Sequence, residues 1–80
     1  MLAPEQSRAA RAWLEWSQTD LAKRANLSLS TVRDFEKGRR TPISNNIEAI
    51  RRAFEAEGVD FINDAKGKPT GIGVGTKRPR

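Results

Sequence analysis

Residues 16–42 read WSQTDLAKRANLSLSTVRDFEKGRRTP, and their pattern is typical of two short helices joined by a tight turn. Ser17–Asp20 has the form of a capping box, in which each end residue accepts a hydrogen bond from the backbone N–H of the other. Leu21 and Ala25 follow at the spacing of one buried helix face. Asn26 comes next, and asparagine tolerates the left-handed conformation that commonly ends a helix.

The second helix of this pair is predicted to begin at Ser28, because serine caps helix N-termini well. Val32 and Phe35 supply its inward face, and Gly38 is a natural stop before the turn that Thr41-Pro42 indicates. The predicted helices cover residues 17–25 and 28–37. A pair of this size allows the second helix to enter the roughly 12 Å wide major groove of duplex DNA.

Two further helices are predicted on either side of the pair. The first starts at Pro4 and runs to about Glu15, and the fourth starts with Ser44 as its cap and ends at Gly58. Both tryptophans, Trp13 and Trp16, are expected in the core. The other expected core residues of these two helices are Ala10, Leu14, Ile47, Ile50 and Phe54.

The chain changes character after Gly58, because four of the six glycines lie in residues 59–80. Val59–Ile62 and Gly71–Gly75 are strand patterns that can pair as a hairpin. The predicted fold class is therefore mainly α, with four to five helices and a short C-terminal β-hairpin or extended appendage. We divide the chain into a helix-turn-helix domain over 1–58, a hairpin or dimerisation appendage over 59–75, and a basic disordered tail over 76–80.

Composition narrows the function classes. The 80 residues include 15 Lys and Arg, 10 Asp and Glu, and no Cys or His. Thiol nucleophiles, disulfides and thiolate metal sites are thereby excluded, and so is histidine acid–base chemistry. We expect no enzyme activity, no cofactor and no metal. No apolar run approaches the 20 or so residues that span a bilayer, and no export signal is visible, so a cytoplasmic protein is expected.

The segments Trp16–Ser28 and Thr31–Pro42 resemble the Cro-like phage-repressor helix-turn-helix family. The resemblance extends over about residues 5–58 and rests on the Ser-Gln opening, the Leu-Ala pair, the Phe-Glu pair and the Gly-Arg stop. Asn26 departs from the family pattern, which usually has glycine there. The resemblance implies a sequence-specific regulator of transcription that binds double-stranded DNA, as a repressor or an autoregulatory control protein.

The resemblance also implies roles for individual residues. Gln18 would contact a phosphate and brace the second helix of the motif, and Arg11 and Glu36 would form a structural ion pair. The residues expected to contact bases in the major groove are Leu29, Ser30, Arg33 and Asp34. The residues expected to contact phosphates are Gln18, Ser28, Thr31, Lys37, Arg39 and Arg40.

Simpler interpretations remain open at this stage. The motif could be a plain helical hairpin with solvated charges. In that case Arg33 and Asp34 could be surface charges without a partner. Arg51-Arg52 is expected on a solvated face of the fourth helix.

The assembly is also open. We expect a homodimer on an inverted repeat, joined through the fourth helix or through the hairpin. The alternative function is an antitoxin-type module that binds a protein partner through residues 59–80.

Overall fold

The computed structural model describes residues 2–39 and 43–75 as four helices followed by a two-stranded antiparallel hairpin. The elements are α1 (Pro4–Leu14), α2 (Gln18–Ala25), α3 (Leu29–Glu36), α4 (Ser44–Glu55), β1 (Val59–Asn63) and β2 (Pro69–Val74). The predicted fold class is confirmed. Arg40, the Thr41-Pro42 turn and the predicted tail over 76–80 lie outside the described residues.

The ends of α2 follow the local sequence signals. The Ser17 hydroxyl accepts from the Asp20 amide at 3.0 Å, and the Asp20 carboxylate accepts from the Ser17 amide at 2.9 Å. These bonds hold the pKa of Asp20 below its ordinary value, first through the Ser17 backbone N–H and then through its hydroxyl. At the other end Asn26 adopts the left-handed conformation with a φ of 59°. The capping box and the asparagine turn are both confirmed.

Three predictions about the helix ends and the core are wrong. α4 ends at Glu55 and not at Gly58, because residues 56–58 form a turn. Ser44 is the first residue of α4 and not its N-cap. The N-cap of α4 is Ile43, which makes no side-chain cap hydrogen bond. Trp13 is 54% exposed instead of buried. α1 is rotated so that Ser7 and Arg11 face Glu36, and this rotation leaves Trp13 at the border of the buried stripe.

The core is centred on α2, which packs against both α3 and α4. Trp16 packs on it as predicted, with its ring stacked on Phe54 at a centroid distance of 5.5 Å. Phe61 of β1 meets the same Phe54 ring edge-on at 5.8 Å. The larger apolar side chains that are fully or nearly fully buried are Leu2, Leu21, Val32, Phe35, Ile47, Ile50, Phe54 and Val59.

The hairpin is attached to the helices by a buried side chain of α1. Gln6 is 3% exposed, and its amide nitrogen donates to the carbonyl oxygens of Ile62 at 3.1 Å and Gly71 at 2.9 Å. Its amide oxygen accepts from the Ala3 N–H at 3.0 Å. Because a buried amide is costly when unpaired, these three bonds tie β1 and β2 to the start of α1.

None of the helices within residues 2–39 and 43–75 has both the length and the apolar character needed to cross a membrane.

Candidate nucleic-acid interface

The two faces of α3 differ sharply. Val32, Phe35 and Glu36 are buried against the rest of the domain. Ser30, Arg33 and Lys37 are exposed, and their spacing of three and four residues places them along one stripe. α3 packs against α1 and α2 through its buried face, so the stripe Ser30–Arg33–Lys37 faces solvent.

The other sequence-predicted residues of α3 border that stripe. Leu29, Thr31 and Asp34 are each half-buried, in contrast to the exposed Ser30 and Arg33. The structure therefore brings the four predicted base-contacting residues together on the first two turns of α3. Their side chains supply a hydroxyl, a guanidinium and a carboxylate group and one aliphatic chain. Groups of these kinds contact base edges in the major groove.

Three hydroxyl groups cluster at the start of α3. Ser28 caps the helix, and its oxygen accepts from the Thr31 amide at 3.2 Å. The same oxygen lies 2.8 Å from Thr31 Oγ1 and 3.2 Å from Ser30 Oγ. Ser28 and Thr31 are thus bonded to each other through two contacts, whereas Ser30 makes a single contact to this group, at 3.2 Å, and remains exposed.

Glu36, at the end of α3, is the centre of a buried polar cluster. Its side chain is 1% exposed and accepts from Arg11, whose Nη2 lies 2.8 Å from Oε1. Gln18 Nε2 donates to the same oxygen at 3.1 Å, and Ser7 Oγ donates to Oε2. Arg11 also donates to the Trp16 carbonyl at 3.2 Å. The resemblance implied the Arg11–Glu36 pair and the bracing by Gln18, and both are present.

The ionisation of Glu36 follows from these partners. Burial by itself raises the pKa of this carboxyl group, since it disfavours the charged form. The hydrogen bonds from Arg11, Ser7 and Gln18, with the charge of Arg11, outweigh burial and hold the pKa of Glu36 below its ordinary value. The side chain is therefore a carboxylate at neutral pH, and it can accept from all three donors at once.

Two members of this cluster, Ser7 and Arg8, were not predicted from the sequence. Ser7 binds the Glu36 carboxylate, and the Arg8 guanidinium donates to the Glu36 backbone carbonyl. A signal for Ser7 existed, because it lies four residues before Arg11 on one face of a helix. Arg8 had no comparable signal, since its target is a backbone oxygen at a helix end. Together α1 and α2 hold the C-terminal end of α3 through four side chains.

The cations around α3 fall into two groups. Arg33, Lys37 and Arg39 are exposed, and no carboxylate among residues 2–39 and 43–75 pairs with any of them. Arg24, by contrast, lies 4.7 Å above the Trp16 ring and pairs with Glu57 at 3.2 Å. Arg51 pairs with Glu48 and Glu55 on the solvated face of α4. Arg33, Lys37 and Arg39 thus form a run of exposed positive charge on α3 and directly after it, without a carboxylate partner in the described part of the chain.

Two short helices at a tight turn, with the second exposing a polar and basic stripe, define a DNA-binding domain of the helix-turn-helix class. A model of the helix-turn-helix family, in its Cro/C1 type, matches residues 8–61, and the chain belongs to this family. It is a DNA-binding protein of transcription regulation. No curated protein matches the sequence.

Proposed function

We propose that this protein is a repressor or autoregulatory control protein that binds an inverted repeat in duplex DNA as a homodimer. The observation that carries the proposal is the contrast within α3. Its exposed stripe, Ser30–Arg33–Lys37, carries no carboxylate partner in the described part of the chain, while its buried end is held by α1 and α2. A helix held in this way can enter the major groove at a defined angle.

In this proposal the first two turns of α3 read the bases. Arg33 donates two hydrogen bonds to guanine O6 and N7, the commonest specific contact in the major groove. Asp34 accepts from cytosine N4, Leu29 contacts a thymine methyl group, and Ser30 bonds to a base edge within reach of its hydroxyl. The half-burial of Leu29 and Asp34 supports this arrangement, because it limits the conformations that each side chain adopts.

Phosphate contacts position the domain on the duplex in the same proposal. Lys37 and Arg39 supply exposed positive charge at the exit of α3, and Arg40, beyond the described residues, continues the basic run. Gln18, Ser28 and Thr31 contribute shorter polar side chains from the start of α2 and α3. Gln18 gives one amide N–H to Glu36 at 3.1 Å, which leaves the second N–H for a phosphate.

We propose a homodimer because the recognition helix of one subunit contacts too little DNA for a specific site. A single recognition helix covers only a few base pairs, so a specific site needs a second copy about 10 base pairs away, or a multiple of that spacing. A dimer with twofold symmetry matches an inverted repeat. In this proposal, occupancy of the site by the dimer blocks transcription.

Selection of bound sites from random duplex DNA, with the stoichiometry of the complex measured on the selected site, tests the proposal. The expected result is an inverted repeat bound by two chains. Selection of an asymmetric site bound by one chain contradicts the homodimer, and enrichment of no sequence contradicts specific recognition. An antitoxin-type role finds less support, because the hairpin that would contact the protein partner is bonded to α1 of its own chain.

A further inference from the structure

Arg8 connects α1 to the last residue of α3. Its Nη1 donates to the backbone carbonyl of Glu36, and Arg8 nevertheless remains exposed. Glu36 is the final residue of α3, so its carbonyl lies at the exit of the helix. The bond therefore places the Arg8 guanidinium next to residues 37–39, which follow α3 in the chain.

The Glu36 carbonyl is available to Arg8 because the turn after α3 leaves it without a backbone partner. The last four carbonyls of a helix have no acceptor role within the helix itself. In α3, the carbonyls of residues 33–35 accept from the backbone N–H groups of residues 37–39, each at 3.0 Å. No backbone N–H in the described part of the chain donates to the Glu36 carbonyl. Arg8 supplies this donor, and its positive charge also suits the negative end of the helix dipole.

Most of the hydrogen-bonding capacity of Arg8 is left over. A guanidinium carries five N–H donors, and the bond to Glu36 uses one of them. Among residues 2–39 and 43–75 no carboxylate pairs with Arg8, although Glu5 lies one turn earlier on the same helix. Arg8 therefore presents a positive charge and unused donors at the exit of α3.

Two further cations lie at this exit. Lys37 and Arg39 are both exposed and are within three residues of Glu36. Gly38, between them, has no side chain, and apart from its chain neighbours nothing described lies within 4 Å of the place where a Cβ would stand. An anionic group can therefore approach the exit of α3 closely and meet positive charge from both α1 and the chain after α3.

We propose that Arg8 binds a DNA backbone phosphate, at a site that α1 shares with Lys37 and Arg39. This inference rests on the proposed function, in which Lys37 and Arg39 contact the phosphates of the duplex. The Glu36 carbonyl holds one N–H of Arg8, and the remaining N–H groups donate to the phosphate oxygens. A guanidinium suits this ligand because its planar fork can donate two parallel hydrogen bonds to a phosphate. A side chain that is already held at one N–H also loses less conformational freedom on binding.

The site makes α1 a third element of the DNA interface. Arg8 holds the backbone of Glu36, the residue whose side chain fixes the orientation of α3, so the bound phosphate has a defined position relative to α3. Phosphate contacts set the register of a protein on DNA without reading its sequence. We therefore expect Arg8 to strengthen binding to all duplexes alike, in contrast to Arg33.

The salt dependence of DNA binding tests this site, because each phosphate that a cation neutralises contributes about 0.9 to the slope of log K against log salt. Arg8→Gln retains an N–H donor but removes the charge, and Arg8→Lys retains the charge. We expect Arg8→Gln to reduce the slope by about 0.9 for each bound chain, on the selected site and on random duplex DNA. Arg8→Lys should keep the slope of the wild type.

Arg52→Gln is the matched control. It removes the same charge from an exposed residue of α4, a helix that packs against α2 and β1, and it should leave the slope unchanged. Urea denaturation verifies that each variant is folded. A purely structural role of Arg8 predicts reduced stability of Arg8→Gln with an unchanged slope, and this result overturns the proposal. Equal reductions of the slope in Arg8→Gln and Arg52→Gln overturn it too, because they reflect only the net charge of the protein.

An uncharged phosphate analogue locates the contact on the DNA. Single phosphates of the selected site are replaced by methylphosphonates, and binding is measured for the wild type and for Arg8→Gln. We expect one position at which the replacement weakens the wild type at least about tenfold and Arg8→Gln less than about twofold. If every replacement affects the two proteins alike, Arg8 contacts no phosphate.

Failure of this inference and failure of the proposed function are distinguishable. The slope is expressed for each bound chain and is also measured on random DNA, so it does not depend on a dimer or on an inverted repeat. An unchanged slope in Arg8→Gln, with two chains bound to an inverted repeat, overturns the Arg8 contact alone. One chain bound to an asymmetric site, with the slope of Arg8→Gln reduced by about 0.9, overturns the homodimer and supports the Arg8 contact.

Discussion

The two ends of α3 have opposite environments within a helix of eight residues. Its start carries the exposed Ser30 and Arg33 and a group of hydroxyls that contact one another, with only Val32 turned inward among these first residues. Its end carries Glu36, which is buried and whose carboxylate accepts hydrogen bonds from Ser7, Arg11 and Gln18. In the proposed function this difference separates two tasks, since a surface that reads bases has to remain accessible while the angle of the helix has to be held.

The buried end has a cost that the exposed start does not have. Removing a carboxylate and a guanidinium from water is expensive, and a well-packed apolar pair often stabilises a domain as much. The Glu36 cluster nevertheless connects α1, α2 and α3 through directional bonds, which an apolar contact lacks. We therefore interpret it as the element that sets the orientation of α3.

The largest expected effect is at this buried end. Glu36→Ala leaves Arg11, Ser7 and Gln18 without their acceptor, so the free energy of unfolding should fall by about 3–5 kcal/mol. Urea denaturation measures the loss, and Glu36→Gln, which keeps one acceptor, should lose less. Glu48→Ala is the matched control, because Glu48 forms an exposed pair with Arg51 and its removal should leave stability unchanged. Equal losses in Glu36→Ala and Glu48→Ala would contradict a structural role for the cluster.

The same cluster predicts a pH dependence with a defined sign. The pKa of Glu36 is lower in the folded protein than in the unfolded chain, where it is about 4.3. The contribution of Glu36 to stability is therefore fully present above that pH and is lost as the pH falls through the lower, folded pKa. Thermal unfolding at pH 3 to 7 should show a steeper acid loss in the wild type than in Glu36→Gln. Parallel curves would exclude Glu36 as a source of the acid sensitivity.

At the exposed start the expected effects are on DNA binding, with stability unchanged. Arg33→Ala should weaken binding to the selected site by about 1–3 kcal/mol and change random-sequence DNA binding little. Arg39→Ala, the comparison variant, should weaken both alike and reduce the slope of log K against log salt by about 0.9. Fluorescence anisotropy at several salt concentrations measures both quantities. If Arg33→Ala weakens both DNAs equally, Arg33 is a phosphate contact.

The smallest expected effect separates two serines that the sequence presents as helix caps. Ser28 accepts from the Thr31 amide at 3.2 Å, whereas Ser44 lies inside the first turn of α4 and α4 has no side-chain cap bond. Ser28→Ala should reduce the unfolding free energy by about 1 kcal/mol. Ser44→Ala should leave it unchanged or raise it slightly, because alanine is the better helix former. Similar losses in both variants would contradict the observed start of α4.

Much of this molecule could be predicted because its signals are local. The capping box at Ser17 and Asp20, the left-handed Asn26 and the cap at Ser28 each depend on bonds within three or four residues. The same is true of the inward spacing of Val32 and Phe35. Trp13 failed as a core residue because its exposure depends on how α1 is rotated, and that rotation is set by Glu36, more than twenty positions away.

Short-range bonds and apolar spacing determine several features of this molecule from the local sequence alone. These features are the helix lengths, the turn between α2 and α3 and the composition of the exposed stripe on α3. The angle of α3, the exposure of Trp13 and the attachment of the hairpin through Gln6 are decided only by tertiary packing. These three features arise because buried polar groups need hydrogen-bond partners, and the partners come from distant segments of the chain. No short-range sequence pattern specifies which segments those are.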